Sequence, residues 1–495
     1  MRLRELLRDV PVRAIHGQVD FEVTNVVADS RLAGPGALFV AIPGLQTDGA
    51  KFIDAAVGKG AVAIVGEGGH RDDVTFIDVD DPRAALSLIA ANFYGRPAER
   101  LSLVGVTGTS GKTTTTKMIE SIFDAAGQPV GLIGTIEYRA GDERLVADRT
   151  TPDAVVLQQW FGKMVEANVR HAVMEVSSHA LALKRTYGVH FAAAVFTNLT
   201  QDHFDFHKDF EDYFQAKRIL FTQIDTSRQT AVVNLDDPYG RRLATELGSA
   251  ALTFGRGDEA MIRPLEGFRV DVDGLHGRIV TPRGEVTIDS PLLGTPNLYN
   301  WLGAVGAALV VGIETETIER GIRNLASVRG RFEHVETPPG ATNVPAVIVD
   351  YAHKPDALEK LLHAVRDLAP DRRLVVVFGC GGDRDKDKRP KMGAIAAQLA
   401  DFTILTSDNP RSEKPESILD DIERGIEGKG KYTRISDRRE AIARAIDAAD
   451  AGSVIVIAGK GHETYQVVGD QVIHFDDLEE AEVALKKKYE KTTSK

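Results

Sequence analysis

The stretch Leu101-Ser102-Leu103-Val104-Gly105-Val106-Thr107-Gly108-Thr109-Ser110-Gly111-Lys112-Thr113-Thr114 decides how this chain is read. An apolar run, 101–106, passes straight into a glycine turn and then into a helical pattern. Strand, glycine turn, Lys-Thr and helix is the order a phosphate cradle needs. Glycines let backbone N–H groups turn inward, and the helix N-terminus adds partial positive charge. In such a cradle Lys112 reaches the β and γ phosphates and Thr113 is placed to ligate Mg²⁺. Thr107, Gly108, Thr109, Ser110 and Gly111 form the turn itself. The general pattern begins with a glycine, and Val106 stands in its place. Taken alone, the run also allows a chance glycine-rich turn.

Working outward from the loop, apolar runs at 171–176, 192–198 and 230–235 alternate with helical patterns. That alternation predicts a parallel sheet with helices on both faces. From about Val328 the rhythm repeats, with runs at 346–351, 372–379, 402–407 and 453–459. Upstream, short strands at 36–42 and 61–65 mix with a helix at 82–94, and Phe93-Tyr94-Gly95-Arg96-Pro97 reads as a linker. Three segments result, 1–97, 98–327 and 328–495, and the charged tail 486–495 is expected to fray.

Composition narrows the class of function. The 495 residues carry 43% hydrophobic and 27% charged side chains, an ordinary globular balance. With 60 Lys and Arg against 72 Asp and Glu, the net charge is −12, and no basic excess exists to neutralise a nucleic acid or an anionic membrane. Cys380 is the only cysteine, so no intrachain disulfide is possible. The first residues lack a signal-peptide core, and the longest apolar stretch, 301–313, is too short to span a bilayer. A cytoplasmic monomer acting on small molecules is expected, without membrane insertion.

Three downstream residues invite chemistry. Glu175 ends an apolar strand, where a carboxylate can hold Mg²⁺ opposite the loop hydroxyl, or simply cap and pair. His203, in Thr197-Asn198-Leu199-Thr200-Gln201-Asp202-His203, follows another such strand and is a metal ligand or a structural histidine. Lys217 lies in the helical Tyr213-Phe214-Gln215-Ala216-Lys217-Arg218 and, by itself, reads as a snorkelling lysine.

Together with the variant loop, these segments resemble the Mur ligase family, whose members build the peptide stem of bacterial peptidoglycan. The resemblance extends through Asn297-Leu298-Tyr299-Asn300, Arg329-Gly330-Arg331-Phe332-Glu333, Asp350-Tyr351-Ala352-His353-Lys354-Pro355 and Phe378-Gly379-Cys380-Gly381-Gly382-Asp383-Arg384. It covers essentially the whole chain. It implies an α/β protein of three domains: a small N-terminal α/β domain for a UDP-muramoyl substrate, a central P-loop parallel-sheet ATPase domain, and a C-terminal Rossmann-like domain for the incoming amino acid. It also implies ATP and Mg²⁺. Glu175 and His203 would ligate the metal, and Lys217 matches the lysine carbamylated in this family. Asn297 and Asn300 resemble adenine-side contacts, and Arg331, Asp350 and His353 would complete the nucleotide site. The implied reaction converts a carboxylate into an acyl phosphate that an amine then attacks.

Within that resemblance, Asp408-Asn409-Pro410-Arg411 is similar to the signature of the members that add meso-diaminopimelate to UDP-N-acetylmuramoyl-L-alanyl-D-glutamate. Standing alone, it reads as an Asn-Pro turn with a surface arginine. A guanidinium fork at Arg411 suits a carboxylate, with a hydrogen bond from Asn409. Gly459 and Glu463, in Gly459-Lys460-Gly461-His462-Glu463, would meet the distal ammonium, and Arg384 the other carboxylate. Ser30, Gln46 and Thr47 resemble uridine-diphosphate contacts; Thr150, Thr151, Ser177 and Arg185 resemble muramoyl-peptide contacts. Arg149 and Leu183 depart from the family pattern. Alternatives are a lysine-adding relative, a folylpolyglutamate synthetase, and a regulatory P-loop protein without ligase activity.

Overall fold

The computed structural model describes residues 1–44, 47–271, 273–337 and 344–493. The chain forms two compact units. The first comprises Met1–Arg263, Thr281–Gly284 and Trp301–Gly321; the second comprises Pro264–Val280, Glu285–Asn300 and Ile322–Lys495.

The first unit contains two sheets. A five-stranded sheet runs in the order Val12–His16, Thr75–Val79, Ala61–Gly66, Ala37–Val40, Asn25–Val27, parallel except at Val12–His16. The helix Pro82–Phe93, capped by Asp81, buries Ala85, Leu86 and Ile89 with Leu38, Val40 and Ile77 of these strands.

The eight-stranded sheet is the predicted parallel array with an antiparallel edge. Ala251–Phe254, Ala231–Asn234, Ala193–Phe196, Ser102–Thr107, His171–Glu175 and Val130–Ile133 run parallel in that order. Glu137–Ala140 and Glu143–Val146 then fold back antiparallel. Alternate residues serve opposite faces, as the two-residue repeat of a strand requires. Leu103, Ala172 and Met174 join Leu157, Trp160, Phe161, Tyr213 and Phe214 in one core. The helix Lys112–Ala125 packs on the strands Ser102–Thr107, Val130–Ile133 and His171–Glu175. Winding reverses at Ser102–Thr107, since the next strands in sequence lie to one side and later ones to the other. Such a switch point opens a crevice at the strand's carboxyl end.

In the second unit a small sheet is built around Gly274–Thr281. A six-stranded sheet follows in the order Glu333–His334, Ala346–Asp350, Ser453–Ala458, Arg373–Phe378, Phe402–Leu405, Tyr432–Arg434, parallel except for its first member. Pro355–Leu368, Lys388–Leu399 and Pro415–Ile426 cover one face, and Arg438–Ala448 and Asp477–Thr493 cover the other. The last helix runs from Asp477 to Thr493 and so takes in much of the charged tail 486–495, of which 494–495 lie outside the described residues. Ala481 and Leu485 bury against the sheet, and Lys488 Nζ donates to the carbonyls of Asp447 and Ala449. No helix among the described residues is long and apolar enough to cross a membrane.

Candidate active site

Register brings the first group of residues together. Glu175 pairs with Val106 and Phe196 with Thr107, so three strand ends lie side by side. The glycine loop leaves the central one. Gly108 sits at φ +148°, where an added Cβ would run into Thr197 Oγ1, and Gly111 at φ +84°. The next strand's continuation braces the loop: Ser110 N donates to Asn198 Oδ1 at 3.0 Å, and Thr197 Oγ1 donates to Ser110 O at 2.7 Å. Thr109 Oγ1 lies 3.2 Å from Tyr213 OH. Gly111, having no side chain, opens the helix Lys112–Ala125 without a side-chain cap. A helix start of this kind presents its first N–H groups to an anion.

Two lysines converge on one carbonyl. Lys112 Nζ donates to Gly108 O at 2.9 Å and to Thr109 O at 3.0 Å, and Lys217 Nζ donates to Gly108 O at 2.8 Å. Lys217 is buried, with its ammonium 4.4 Å from the centre of the Tyr213 ring. It is therefore no snorkelling lysine.

The buried Glu175 carboxylate accepts from Thr113 Oγ1 at 3.0 and 3.1 Å, from Thr135 N at 2.8 Å and from Thr135 Oγ1 at 3.0 Å. Thr135, unremarked in the sequence, thus links the loop to Thr150, whose hydroxyl is 3.0 Å away. Thr151 Oγ1 donates to Glu175 O at 2.8 Å and accepts from Ser177 N, while Arg185 Nη1 donates to Thr151 O at 2.7 Å. Burial, and then Arg149, lower the pKa of Arg185. Thr150, Thr151, Ser177 and Arg185 are thereby gathered around Glu175. His203, at φ +58°, stacks edge-on against His179 with ring centres 4.7 Å apart.

Among the described residues no group of three or more His, Cys, Asp or Glu side chains could hold a metal ion. The Thr113 hydroxyl and Glu175 carboxylate are hard oxygen donors, the kind Mg²⁺ takes. That ion characteristically binds through one or two carboxylates and fills the rest of its shell with phosphate oxygens and water. The donor set fits Mg²⁺ brought in with a nucleotide. Ser30 begins a short 3-10 turn capped by Asp29, and Thr47 is exposed; Gln46 lies outside the described residues.

In the second unit Asp350, Ala458, Phe378 and Leu405 are cross-strand neighbours, so four strand ends line up. Asp350, whose pKa burial raises, accepts from Phe332 N at 2.7 Å and Ala352 N at 2.8 Å. Arg331 lies over the Tyr351 ring at 4.5 Å. Burial drives His353 down to about 4, and its Nδ1 is 2.8 Å from Tyr351 O. Asn297 and Asn300 are buried one helical turn apart, joined by a 3.1 Å hydrogen bond.

The loops after Leu405 and Ala458 meet at Asn409. Its Nδ2 donates to Glu463 Oε2 at 2.9 Å, and Gln466 Nε2 donates to Asp408 O at 2.6 Å. Gly459, at φ +121°, leaves room for Asp408 Oδ2. Arg411, at φ +52°, donates to Gly382 O at 2.9 Å. Arg384 is exposed on the loop after Phe378, and its side chain and that of Arg411 both lie against Gly381. Three buried cations support these loops. Arg389 pairs with Glu413 and Asp421, both at 2.8 Å; Arg438 pairs with Asp477 at 2.7 Å; Lys460 pairs with Glu463 at 3.2 Å.

The sequence matches the Mur ligase middle domain over residues 106–308, the glutamate ligase domain of Mur ligases over 330–461, and the catalytic domain of the Mur ligase family over 22–94. It is 43% identical to the UDP-N-acetylmuramoyl-L-alanyl-D-glutamate--2,6-diaminopimelate ligase of Geobacter metallireducens, over 98% of each chain. The chain belongs to the Mur ligase family. A ligase of the same name from Gloeobacter violaceus is 47% identical over 99% of each chain. A solved structure of another ligase so named has a TM-score of 0.71 at 31% identity, covering 98% of this chain and 99% of that one. Mur ligases are ATP-dependent, so the glycine loop of this Mur ligase has a nucleotide to hold. The family resemblance and the α/β architecture read from its motifs are borne out.

Proposed function

We propose that this protein is a cytoplasmic, ATP- and Mg²⁺-dependent ligase that joins meso-2,6-diaminopimelate to UDP-N-acetylmuramoyl-L-alanyl-D-glutamate during peptidoglycan precursor synthesis. The observation that carries the reading is the side-chain cluster in the second unit, where Glu463 and Asn409 are hydrogen-bonded and Arg411 and Arg384 both lie against Gly381. Diaminopimelate has the reach of lysine and ends in both an ammonium and a carboxylate. An anion beside two guanidinium groups matches that end better than it matches lysine, whose end is only cationic.

The roles are those that membership of the Mur ligase family implies for these residues. Lys112 and the start of Lys112–Ala125 bind the nucleotide phosphates, and Asn297, Asn300, Arg331, Asp350 and His353 bind the rest of ATP. A substrate carboxylate oxygen attacks the γ phosphorus, ADP leaves, and an acyl phosphate forms. The amine then attacks the acyl carbon, phosphate departs, and the nitrogen loses a proton. Positioning and electrostatics dominate both steps. Mg²⁺, when bound through Thr113 and Glu175, supplies charge neutralisation at the phosphates. The Lys217 ammonium loses one proton to become the amine that adds to CO₂, and a second on forming the carbamate, which retains one N–H for Gly108 O. With His203, that carbamate would extend the set of residues able to hold Mg²⁺. Ser30, Gln46, Thr47, Thr150, Thr151, Ser177 and Arg185 hold the UDP-muramoyl peptide. Residues 1–97, 98–327 and 328–495 divide the three substrates among them.

Phosphate release tests the assignment directly. With ATP and the UDP-muramoyl dipeptide present, diaminopimelate should support much faster turnover than lysine. Faster turnover with lysine defeats the assignment, and release independent of any amino acid points to a nucleotide hydrolase instead.

A further inference from the structure

Lys460 belongs to the second unit, within the run that carries Gly459 and Glu463, and its side chain is 0% exposed. A lysine so placed has given up its water entirely, and its charge must be met by protein groups. Its Nζ lies 3.2 Å from Asn409 Oδ1 and 3.2 Å from Glu463 Oε2, with the Tyr465 ring centre at 5.5 Å. Both hydrogen bonds fall on groups already assigned to the amino-acid substrate.

The geometry has two consequences. Asn409 Oδ1 faces two donors, Lys460 Nζ and Val467 N, the latter at 2.9 Å. Two donors at one end of an amide fix that end as the oxygen, so the NH₂ group points the other way. One of its hydrogens goes to Glu463 and the second remains to donate. On Glu463 both of these bonds fall on Oε2, which leaves Oε1 able to accept from a ligand. Lys460 therefore makes the pair present an N–H beside a carboxylate oxygen, a match for a centre bearing both a carboxylate and an ammonium. Its charge also offsets that of Glu463, so Lys460, Arg411 and Arg384 together outweigh the carboxylates of Glu463 and Asp408 in this cluster. A purely cationic chain end is disfavoured there.

We infer that Lys460 is a positioning residue that sets discrimination for diaminopimelate over lysine, acting through Asn409 and Glu463. The inference rests on the proposed function and deepens it. The variants are K460M, which keeps the length and removes the charge, and K460M/E463Q, which removes both charges of the buried pair. Steady-state kinetics with each amino acid, ATP and the UDP-muramoyl dipeptide gives the readout, and thermal unfolding reports on folding.

K460M should raise KM for diaminopimelate about tenfold or more, the scale of a lost charge-assisted contact. KM for ATP should stay within about twofold of wild type, a difference ordinary for a site left untouched. The preference for diaminopimelate over lysine should fall with it. In the double variant the two changes should be non-additive, with discrimination close to that of E463Q alone. Equal rises in both KM values, or additive effects of K460M and E463Q, overturn the role of Lys460. If K460M does not fold, an E463Q/K460M double variant that folds and keeps wild-type discrimination overturns it as well. Wild-type enzyme that prefers lysine defeats the substrate assignment instead, whatever the variants do.

Discussion

The glycine loop of the first unit and the amino-acid pocket of the second both sit at the carboxyl ends of parallel strands, yet they handle buried charge differently. Glu175 is met by hydroxyls and an N–H from Thr113 and Thr135, and among the described residues no cation pairs with it. In the second unit Arg389, Arg438 and Lys460 each meet a carboxylate within 3.2 Å. The first arrangement holds an anion for a ligand to neutralise. The second is balanced before any ligand arrives. Substitutions in the first should therefore act on rate with little effect on folding, whereas those in the second should act on stability and selectivity.

The largest expected effect lies at Lys217. Lys217→Ala removes the amine that forms the proposed carbamate and should slow turnover about 10²–10³-fold, the scale of a lost electrostatic group at a reacting phosphoryl centre. Thermal unfolding should change little by comparison. Added formate or acetate should recover part of the rate, measured as phosphate release. Full activity without any addition removes the carbamate from the mechanism.

Next comes Arg438, whose guanidinium is fully buried and bidentate on Asp477, at 2.7 Å for both bonds. It also donates to Ser407 O at 3.3 Å and Ala458 O at 3.1 Å, the carbonyls just before the two pocket loops. Burial opposes its charge and Asp477 outweighs that, so the arginine's pKa is raised. Arg438→Met leaves Asp477 buried without its cation and should destabilise the protein by about 3–5 kcal/mol in denaturant unfolding. Arg438→Met combined with Asp477→Leu should regain much of that loss. A single variant as stable as wild type would break the contrast between the two regions.

The same contrast explains what the sequence made legible. Buried parallel strands are continuous apolar runs, so 101–106, 171–176 and 453–459 stand out unaided. The glycine loop is legible because its geometry demands residue types, glycine above all, at fixed spacing. The hairpin Glu137–Ala140 and Glu143–Val146 is silent in the sequence because its outer strand is exposed throughout and its inner strand buries only alternate residues, Tyr138 and Ala140. Lys460 escaped for a different reason. A lysine in a sequence does not disclose its burial, which depends on strands far apart in the chain packing side by side. Thr135 is equally silent, since a threonine after a strand is ordinary until the fold sets it beside Glu175. The helix Asp477–Thr493 is not marked by its charged end, and what holds it to the sheet is its buried alanines and Leu485.

The smallest effect concerns the balanced charges under acid. Arg389 Nη2 holds Glu413 Oε1 at 2.8 Å, and Glu413 also accepts from Asp383 N at 2.7 Å. Arg389, first, and that backbone bond draw the Glu413 carboxyl from 4.5 down to about 2. The folded protein thus binds this proton more weakly than the unfolded chain does. Between those two values acid favours the unfolded state, so the contribution is complete above pH 4.5 and is lost as pH falls toward about 2. Glu413→Gln lacks the titrating group. The difference in Tm between wild type and this variant should therefore be widest near neutral pH and close progressively below pH 4.5. A gap that stays constant through that window would mean Glu413 is not held in its charged form by Arg389, and the second region's charges would not be balanced in the way the first region's are left open.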